Sequence, residues 1–262
     1  METNGAKTVL LLGDITGRSR VGVRMHTAVL EARGHEVLAL PTAMISNTLN
    51  LGRHASLDTT DYLCASLETW RALGIGYDFL YIGYITGLAQ ARLLAAEADR
   101  ARARGVPVLL DPILGDGGRA YASVTDEQAE GFRRLHAHAS IVTPNLTEAC
   151  LLTGVPYEEA MRGTSADELL ERLCAPGRAA VITSARTDDG GHAVLGQDAA
   201  GNRFCQPYER LTGRSGGAGD LFGAALIDAL LRGCTLEQAA ARAGADVARE
   251  IALGDRGLLP KI

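Results

Sequence analysis

Long apolar runs are missing from this 262-residue chain, and nothing in it approaches the roughly 20 residues that cross a bilayer. The first apolar stretch, Val9–Leu12, is too short for a secretory leader and follows the polar Met1–Lys7, so a cytoplasmic location is expected. Cysteine is scarce and scattered. Cys64, Cys150, Cys174, Cys205 and Cys234 are odd in number and form no C-x-x-C pair, which suits reduced thiols better than disulfides or zinc ligands. Positive charge is in deficit, 26 Lys and Arg against 31 Asp and Glu, a net charge of −5. Neither nucleic acid nor a membrane surface is therefore an expected partner, and any phosphate site must be built locally. No G-x-x-x-x-G-K-[ST] occurs, and Gly13-Asp-Ile-Thr-Gly17 lacks the G-x-G-x-x-G spacing, which argues against P-loop and dinucleotide folds. With no linker, repeat or charge block to divide it, the chain is expected to form one domain over residues 1–262.

What the chain does contain is alternation. Thr8–Gly13 is an apolar run closed by glycine, followed by a polar loop over Asp14–Gly22 and a helix ending near Gly34. Strand patterns at Val37–Leu40, Phe79–Ile82 and Val106–Leu110 are separated by helix patterns at Asp61–Leu73 and Leu88–Arg104. Further strands are expected at Ile141-Val142 and Ala179–Ile182, with an antiparallel hairpin of His192–Gly196 and Arg203–Pro207. Two helices close the chain, the second near Leu236–Ala252. The pattern predicts an α/β fold of three layers, α/β/α, with a mostly parallel central sheet and a small antiparallel hairpin. Ligands of such sheets bind beyond the C-terminal strand ends. Polar residues collect there: Gly13-Asp14, Pro41–Asn50, Gly83-Tyr84 and Asp111-Pro112.

The densest chemical signal is the stretch over residues 214–233, Arg-Ser-Gly-Gly-Ala-Gly-Asp followed by an almost wholly apolar helix pattern interrupted by Asp228. A helix apolar all round must be buried, which fixes its N-terminus in place. Glycines ahead of that end let backbone N–H groups converge on an anion, and the helix dipole favours negative charge there. Asp220 would repel a resting phosphate, but it suits a base that takes a proton from a hydroxyl attacking phosphorus. An ordinary N-cap would also account for Asp220, though a cap needs one acid and not three preceding glycines. Asn145-Leu-Thr-Glu148 sets an amide and a carboxylate one turn apart, as a water-mediated magnesium site or as a capping box. Asp111-Pro-Ile-Leu-Gly-Asp116 puts two carboxylates on a strand-end loop, and Thr183-Ser184 adds two hydroxyls.

Together these residues resemble the ribokinase-like superfamily and, within it, the pyridoxal (vitamin B6) kinases, over almost the whole chain. Gly217-Ala-Gly-Asp220 is similar to the G-x-G-D anion hole and base, and Asn145-x-x-Glu148 to the N-x-x-E magnesium motif. Asp111–Asp116, Thr143-Pro-Asn145, Val181–Ser184, Leu40–Asn47 and Gly83-Tyr84 are similar to segments of the B6 branch. The resemblance implies an ATP- and Mg2+-dependent kinase, with a monovalent cation such as K+ a further candidate, acting on pyridoxal, pyridoxine or pyridoxamine as a homodimer. It implies Asp220 as the base, and Gly217, Ala218 and Gly219 as donors to the transferring phosphoryl group. Asp116 and Glu148 would organise the metal. Asp111, Asp116, Tyr121, Asn145, Thr183, Ser184 and Ala218 would line the nucleotide. Asp14, Val21, Ser46, Asn47 and Tyr84 would meet the vitamer.

Two departures bear on specificity. Asn47 is followed by Thr48-Leu-Asn-Leu-Gly52 where many B6 kinases have His-Thr-Gly-Tyr, and Ala218 stands where many have Thr. A hydroxymethylpyrimidine kinase is the alternative enzyme, and a non-catalytic nucleotide- or B6-binding protein the alternative of another class. Binding alone would not require Asp220, Asp116 and Glu148 together. The polar length of Thr48–Asp58 is compatible with a lid. Trp70 reads as core, and Arg100, Arg102 and Arg104 as a solvated helix end. His136 and His138, two apart, do not make a metal pair on a helix.

Overall fold

The computed structural model describes residues 5–51, 53–162, 166–175, 177–187, 189–211, 216–254 and 257. Gly52, Arg214 and Ser215 from the stretches above lie outside the described residues. In chain order the elements are β1 (Thr8–Thr16), α1 (Val23–Ala32), β2 (Glu36–Ile45), β3 (Ser56–Asp58), α2 (Thr60–Ala72), β4 (Phe79–Ile82), α3 (Leu88–Ala103) and β5 (Val108–Leu110). There follow β6 (Gly115–Asp116), β7 (Arg119–Ala120), α4 (Asp126–His136), β8 (Ile141–Val142), α5 (Leu146–Thr153), α6 (Tyr157–Ala160) and α7 (Ala166–Leu173). The last are β9 (Ala179–Arg186), β10 (His192–Gln197), β11 (Arg203–Tyr208), α8 (Ala218–Leu231) and α9 (Leu236–Leu253).

Nine strands form one sheet in the order β11-β10-β9-β8-β5-β4-β1-β2-β3, and β6-β7 form a separate small hairpin. The pairs from β9 to β2 are parallel, while β10, β11 and β3 add antiparallel edges. Side chains alternate across a strand, and here the alternation builds two cores. Leu10, Leu12, Leu80, Ile82 and Leu110 pack against Leu63, Leu94, Phe132 and Leu146 of α2, α3, α4 and α5. Val9, Leu11, Phe79, Tyr81 and Leu109 face the other way, onto Leu30 of α1, Phe222 and Leu226 of α8 and Ala239 of α9. The chain passes from β1 to β2 on one side and resumes at β4 on the other. The β1–β4 crevice is therefore the switch point at which sheets of this kind bind ligands.

The elements differ from expectation where strands continue past the point at which their sequence turns polar. β1 runs on to Thr16, and β2 runs through Pro41 to Ile45 instead of giving way to a loop. Pro41 is tolerated because the β1–β2 register slips there: Gly13 pairs Pro41 and Asp14 pairs Ala43. Thr183 and Ser184 lie inside β9, past its pairing with β8 and at the register shift of its pairing with β10. Thr48–Asp58 is no free polar loop. Its last three residues are β3, paired to Ala43–Ile45, and the Ser46 N–H donates to Ala55 O at 2.9 Å. Arg100 is engaged with buried Glu97 at 3.0 Å, and Arg104 stacks over Tyr77 at 4.8 Å. His136 and His138 point to different partners, Leu173 O and Asp99.

The helix that carries Asp220 is anchored at its far end. On α8, Leu221 through Ala229 are all buried, Asp228 included. Asp228 accepts from Arg33 at 2.9 Å, His35 at 2.9 Å and Arg232 at 2.7 Å, and Arg33 also pairs with Asp246 of α9. Burial raises the Asp228 carboxyl, but His35, Arg232 and Arg33 outweigh it and hold the group below its ordinary range. Two guanidinium groups and an imidazole around one carboxylate thus tie α1, α8 and α9 together.

Candidate active site

Three carboxyls converge at the C-terminal ends of the central strands. Asp14 follows Gly13 at the register slip of β1 and sits on the crevice floor, partly open. Burial pushes its pKa up to about 6. Asp111, directly after β5, is buried and accepts from the Tyr81 hydroxyl at 3.2 Å. Burial first, and then the charge of Asp14, hold Asp111 well above the usual carboxylate range. Glycine makes room for this arrangement. A Cβ at Gly83 would stand 2.7 Å from the Tyr81 hydroxyl, and one at Gly22 would stand 2.7 Å from Asp14 Oδ1. Gly22 has φ 57° and ψ −139°, a conformation that side chains resist.

Asp220 completes the group from the opposite layer. Gly217, with φ 77°, turns the chain into α8, so Ala218, Gly219 and Asp220 form its first turn with N–H groups free of helical partners. Burial raises Asp220 strongly, and the charges of Asp111 and Asp14 raise it further, while the Gly22 N–H acts in the opposite direction. No Lys or Arg pairs with Asp14, Asp111 or Asp220 among the described residues. Three uncompensated carboxyls in one cleft make a site that holds protons when empty and gains from a cation.

The α5 end carries the next set. Asn145 is its N-cap: Asn145 Oδ1 accepts from the Glu148 N–H at 2.9 Å, and Glu148 Oε2 accepts from the Asn145 N–H at 2.9 Å. Leu146 N–H donates to Ser184 Oγ at 3.1 Å, and Thr183 N–H donates to Pro144 O at 3.0 Å, which locks β9 to this helix start. Glu148 Oε1 accepts from Leu114 N–H at 3.1 Å. Burial, then Asp111, push Glu148 well above its usual range. The capping box is therefore real, and Glu148 spends both oxygens on backbone. Asp116 is exposed on the β6–β7 hairpin, and the Tyr121 hydroxyl is pushed up by burial and then by Glu148 and Asp116. No three His, Cys, Asp or Glu side chains converge as a ready metal cage among the described residues. Hard oxygen donors, few in number and already hydrogen-bonded, fit magnesium, which keeps most of its water and relies on phosphate oxygens.

On the acceptor side, Tyr84 is buried against Ala43 and Ile45, with Leu49 and Ile113 beside it. Its hydroxyl accepts from Gln128 Nε2 at 2.9 Å. Val21 is half-buried in the β1–α1 loop. Ser46 and Asn47 turn inward on their own segment: Ser46 Oγ donates to Asn47 Oδ1 at 2.7 Å, and Asn47 Nδ2 donates to Arg53 O at 3.1 Å. Beyond Thr183 and Ser184, a groove of about 540 Å³ opens between Thr187, His192, Pro207 and Tyr208.

A family model described as phosphomethylpyrimidine kinase matches residues 28–256. The chain belongs to the phosphomethylpyrimidine kinase family. It is 32% identical over 228 residues to a pyridoxine/pyridoxal/pyridoxamine kinase of Bordetella avium, covering 84% of this chain and 76% of that protein. Its fold is ribokinase-like. The crystal structure of pyridoxal kinase from Lactobacillus plantarum superposes with a TM-score of 0.83 at 27% identity, covering 97% of this chain and 93% of that one. Pyridoxal kinase from Leishmania donovani in complex with ADP and pyridoxamine gives a TM-score of 0.80 at 27% identity, covering 94% and 86%.

The family match begins at Ala28, after the loop that holds Asp14, Val21 and Gly22, and the fold sets Asp14 and Gly22 beside Asp220. Sequence reading missed Tyr81, Gln128 and Gly22. Tyr81 carries a signal, since a tyrosine inside a wholly buried strand needs a partner for its hydroxyl. Gln128 and Gly22 carry none, because each is chosen by residues distant in the chain.

Proposed function

We infer that this member of the phosphomethylpyrimidine kinase family transfers the γ-phosphoryl group of ATP to the 5′-hydroxymethyl group of a B6 vitamer: pyridoxal, pyridoxine or pyridoxamine. The observation that carries the reading is Asp220, in the first turn of a buried helix whose N-terminus meets the switch point of the sheet beside Asp14 and Asp111. Asp220 takes the hydroxyl proton as the oxygen bonds to phosphorus and the bond to the β,γ-bridging oxygen breaks, releasing ADP. The N–H groups of Gly217, Ala218 and Gly219 face the charge that builds on the phosphoryl oxygens. Asp111, Asp116, Tyr121, Asn145, Thr183 and Ser184 line the nucleotide, and the groove at Tyr208 has room for its base. Asp116 and Glu148 would hold magnesium, and the ion when bound would neutralise charge on the phosphates. Asp14, Val21, Ser46, Asn47 and Tyr84 surround the pyridine ring, Ser46 and Asn47 by shaping the segment over it.

The vitamer assignment draws on the names of the relatives, and residues 1–262 are taken as one catalytic domain acting as a cytoplasmic homodimer. The free state of all five cysteines agrees with a reducing compartment. The family's own description favours a second reading, phosphorylation of hydroxymethylpyrimidine in the same flat pocket. The deciding experiment offers magnesium-ATP with pyridoxal, pyridoxine, pyridoxamine, hydroxymethylpyrimidine or ribose and follows product by mass. A 5′-phosphorylated vitamer, lost in Asp220→Asn, is expected. Transfer to the pyrimidine alone gives the second reading, and transfer to none rejects both. Sedimentation tests the dimer.

A further inference from the structure

His26 is fully buried in the first turn of α1, and no role assigned above uses it. Its Nδ1 lies 3.0 Å from the Gly22 carbonyl oxygen. A carbonyl only accepts, so Nδ1 carries the proton and Nε2 is bare. Burial lowers the ring pKa to about 4, despite the hydrogen bond to Gly22, and keeps that neutral form across the working range. Nε2 has no hydrogen-bond partner among the described residues. It faces Gly223 of α8, where a Cβ would stand 3.0 Å away. The ring also packs on Tyr81, with centroids 4.0 Å apart. A bare acceptor in the core is unfavourable, so an apolar side chain would serve packing better than histidine. What only histidine supplies here is the Nδ1–H.

That proton is spent on the residue at the centre of the site. The Gly22 oxygen also takes the Met25 and His26 N–H groups, at 3.1 and 3.3 Å, and the imidazole is the shortest of the three contacts. On its other side the Gly22 N–H faces the Asp220 carboxyl and lowers its proton affinity, and a Cβ on Gly22 would stand 2.7 Å from Asp14 Oδ1. Tyr81, braced by the imidazole, holds Asp111 through its hydroxyl. One buried side chain thus touches the two supports on which all three carboxyls rest.

We propose that His26 is a positioning residue for phosphoryl transfer, locking Gly22 and Tyr81 so that Asp220, Asp14 and Asp111 keep their mutual placement. The proposal rests on the reading of Asp220 as the base. His26→Phe keeps a flat ring and removes the donor, whereas His26→Asn puts an amide N–H close to where Nδ1 stands. Steady-state kinetics with magnesium-ATP and pyridoxal should show kcat lowered roughly 10- to 100-fold in His26→Phe, the scale of small misplacements at a reacting centre. KM for ATP should stay within about twofold, and His26→Asn should recover most of kcat. Wild-type kcat in His26→Phe, or His26→Asn no better than His26→Phe, would overturn the proposal. Should His26→Phe fail to fold, ¹⁵N NMR of the wild-type imidazole decides: Nδ1 protonated and Nε2 bare is expected, and the other tautomer or an imidazolium at pH 7 refutes it. A wild type inert toward every acceptor removes the base assignment and this inference with it. An active wild type with an unchanged His26→Phe removes the inference alone.

Discussion

Replacing Asp14 with asparagine removes a charge that the empty site disfavours, and the gain can be worked out. Burial moves the carboxyl from 3.8 to about 6. At about 1.4 kcal/mol per tenfold change, the ionised group at neutral pH costs the folded state on the order of 3 kcal/mol relative to the unfolded chain. The sign follows from the direction of the shift. A raised carboxyl leaves stability intact below pH 3.8 and removes it as pH climbs through about 6. A chain of this size shifts its melting temperature by about 2–4 °C per kcal/mol, so Asp14→Asn should melt roughly 6–12 °C above wild type at pH 7.5. The two should converge near pH 4. Because the Asp14 charge also raises Asp111 and Asp220, the gap should be no smaller than this. Calorimetry of ligand-free protein from pH 4 to 8 makes the comparison. A constant gap across that range, or a variant less stable at pH 7.5, would refute the claim that the site is strained by buried negative charge. Catalysis should move the other way, with KM for the acceptor raised in the stabilised variant.

Three further outcomes are expected. Asp220→Asn should cut turnover by roughly 10²–10⁴ while nucleotide affinity changes only a few fold, and near wild-type turnover would sink the base assignment. Glu148→Gln should raise the magnesium concentration needed for half-maximal rate, read by metal titration at fixed ATP, whereas an unchanged titration would leave Glu148 a cap and nothing more. Asp228→Asn should cost about 3 kcal/mol by stranding Arg33 and His35 around a neutral partner. Because the folded carboxyl is held below its ordinary value, that contribution is present above pH 4 and fades as acid protonates it, so wild type and variant should melt alike at low pH. Its kcat should match wild type, since Asp228 lies about 12 Å along α8 from Asp220.

Much of this protein was legible in the order of its residues because local signals there are strong. Apolar strands alternating with helix patterns predict the parallel sheet, and the glycines before a wholly apolar helix predict a fixed, anion-friendly N-terminus at Gly217–Asp220. Asn145-x-x-Glu148 was legible as a motif but open in meaning, and the structure shows the capping box while leaving the carboxylate beside the crevice. Tertiary structure alone decided the rest. Pro41 stays in a strand because the neighbouring strand slips register opposite it, which no local propensity encodes. Ser46 and Asn47 turn toward their own segment because Arg53 and Ala55 come back to meet them. Asp14, Asp111 and Asp220 are unremarkable acids one at a time. Their altered proton affinity exists only because burial and mutual repulsion act through space, between residues far apart along the chain.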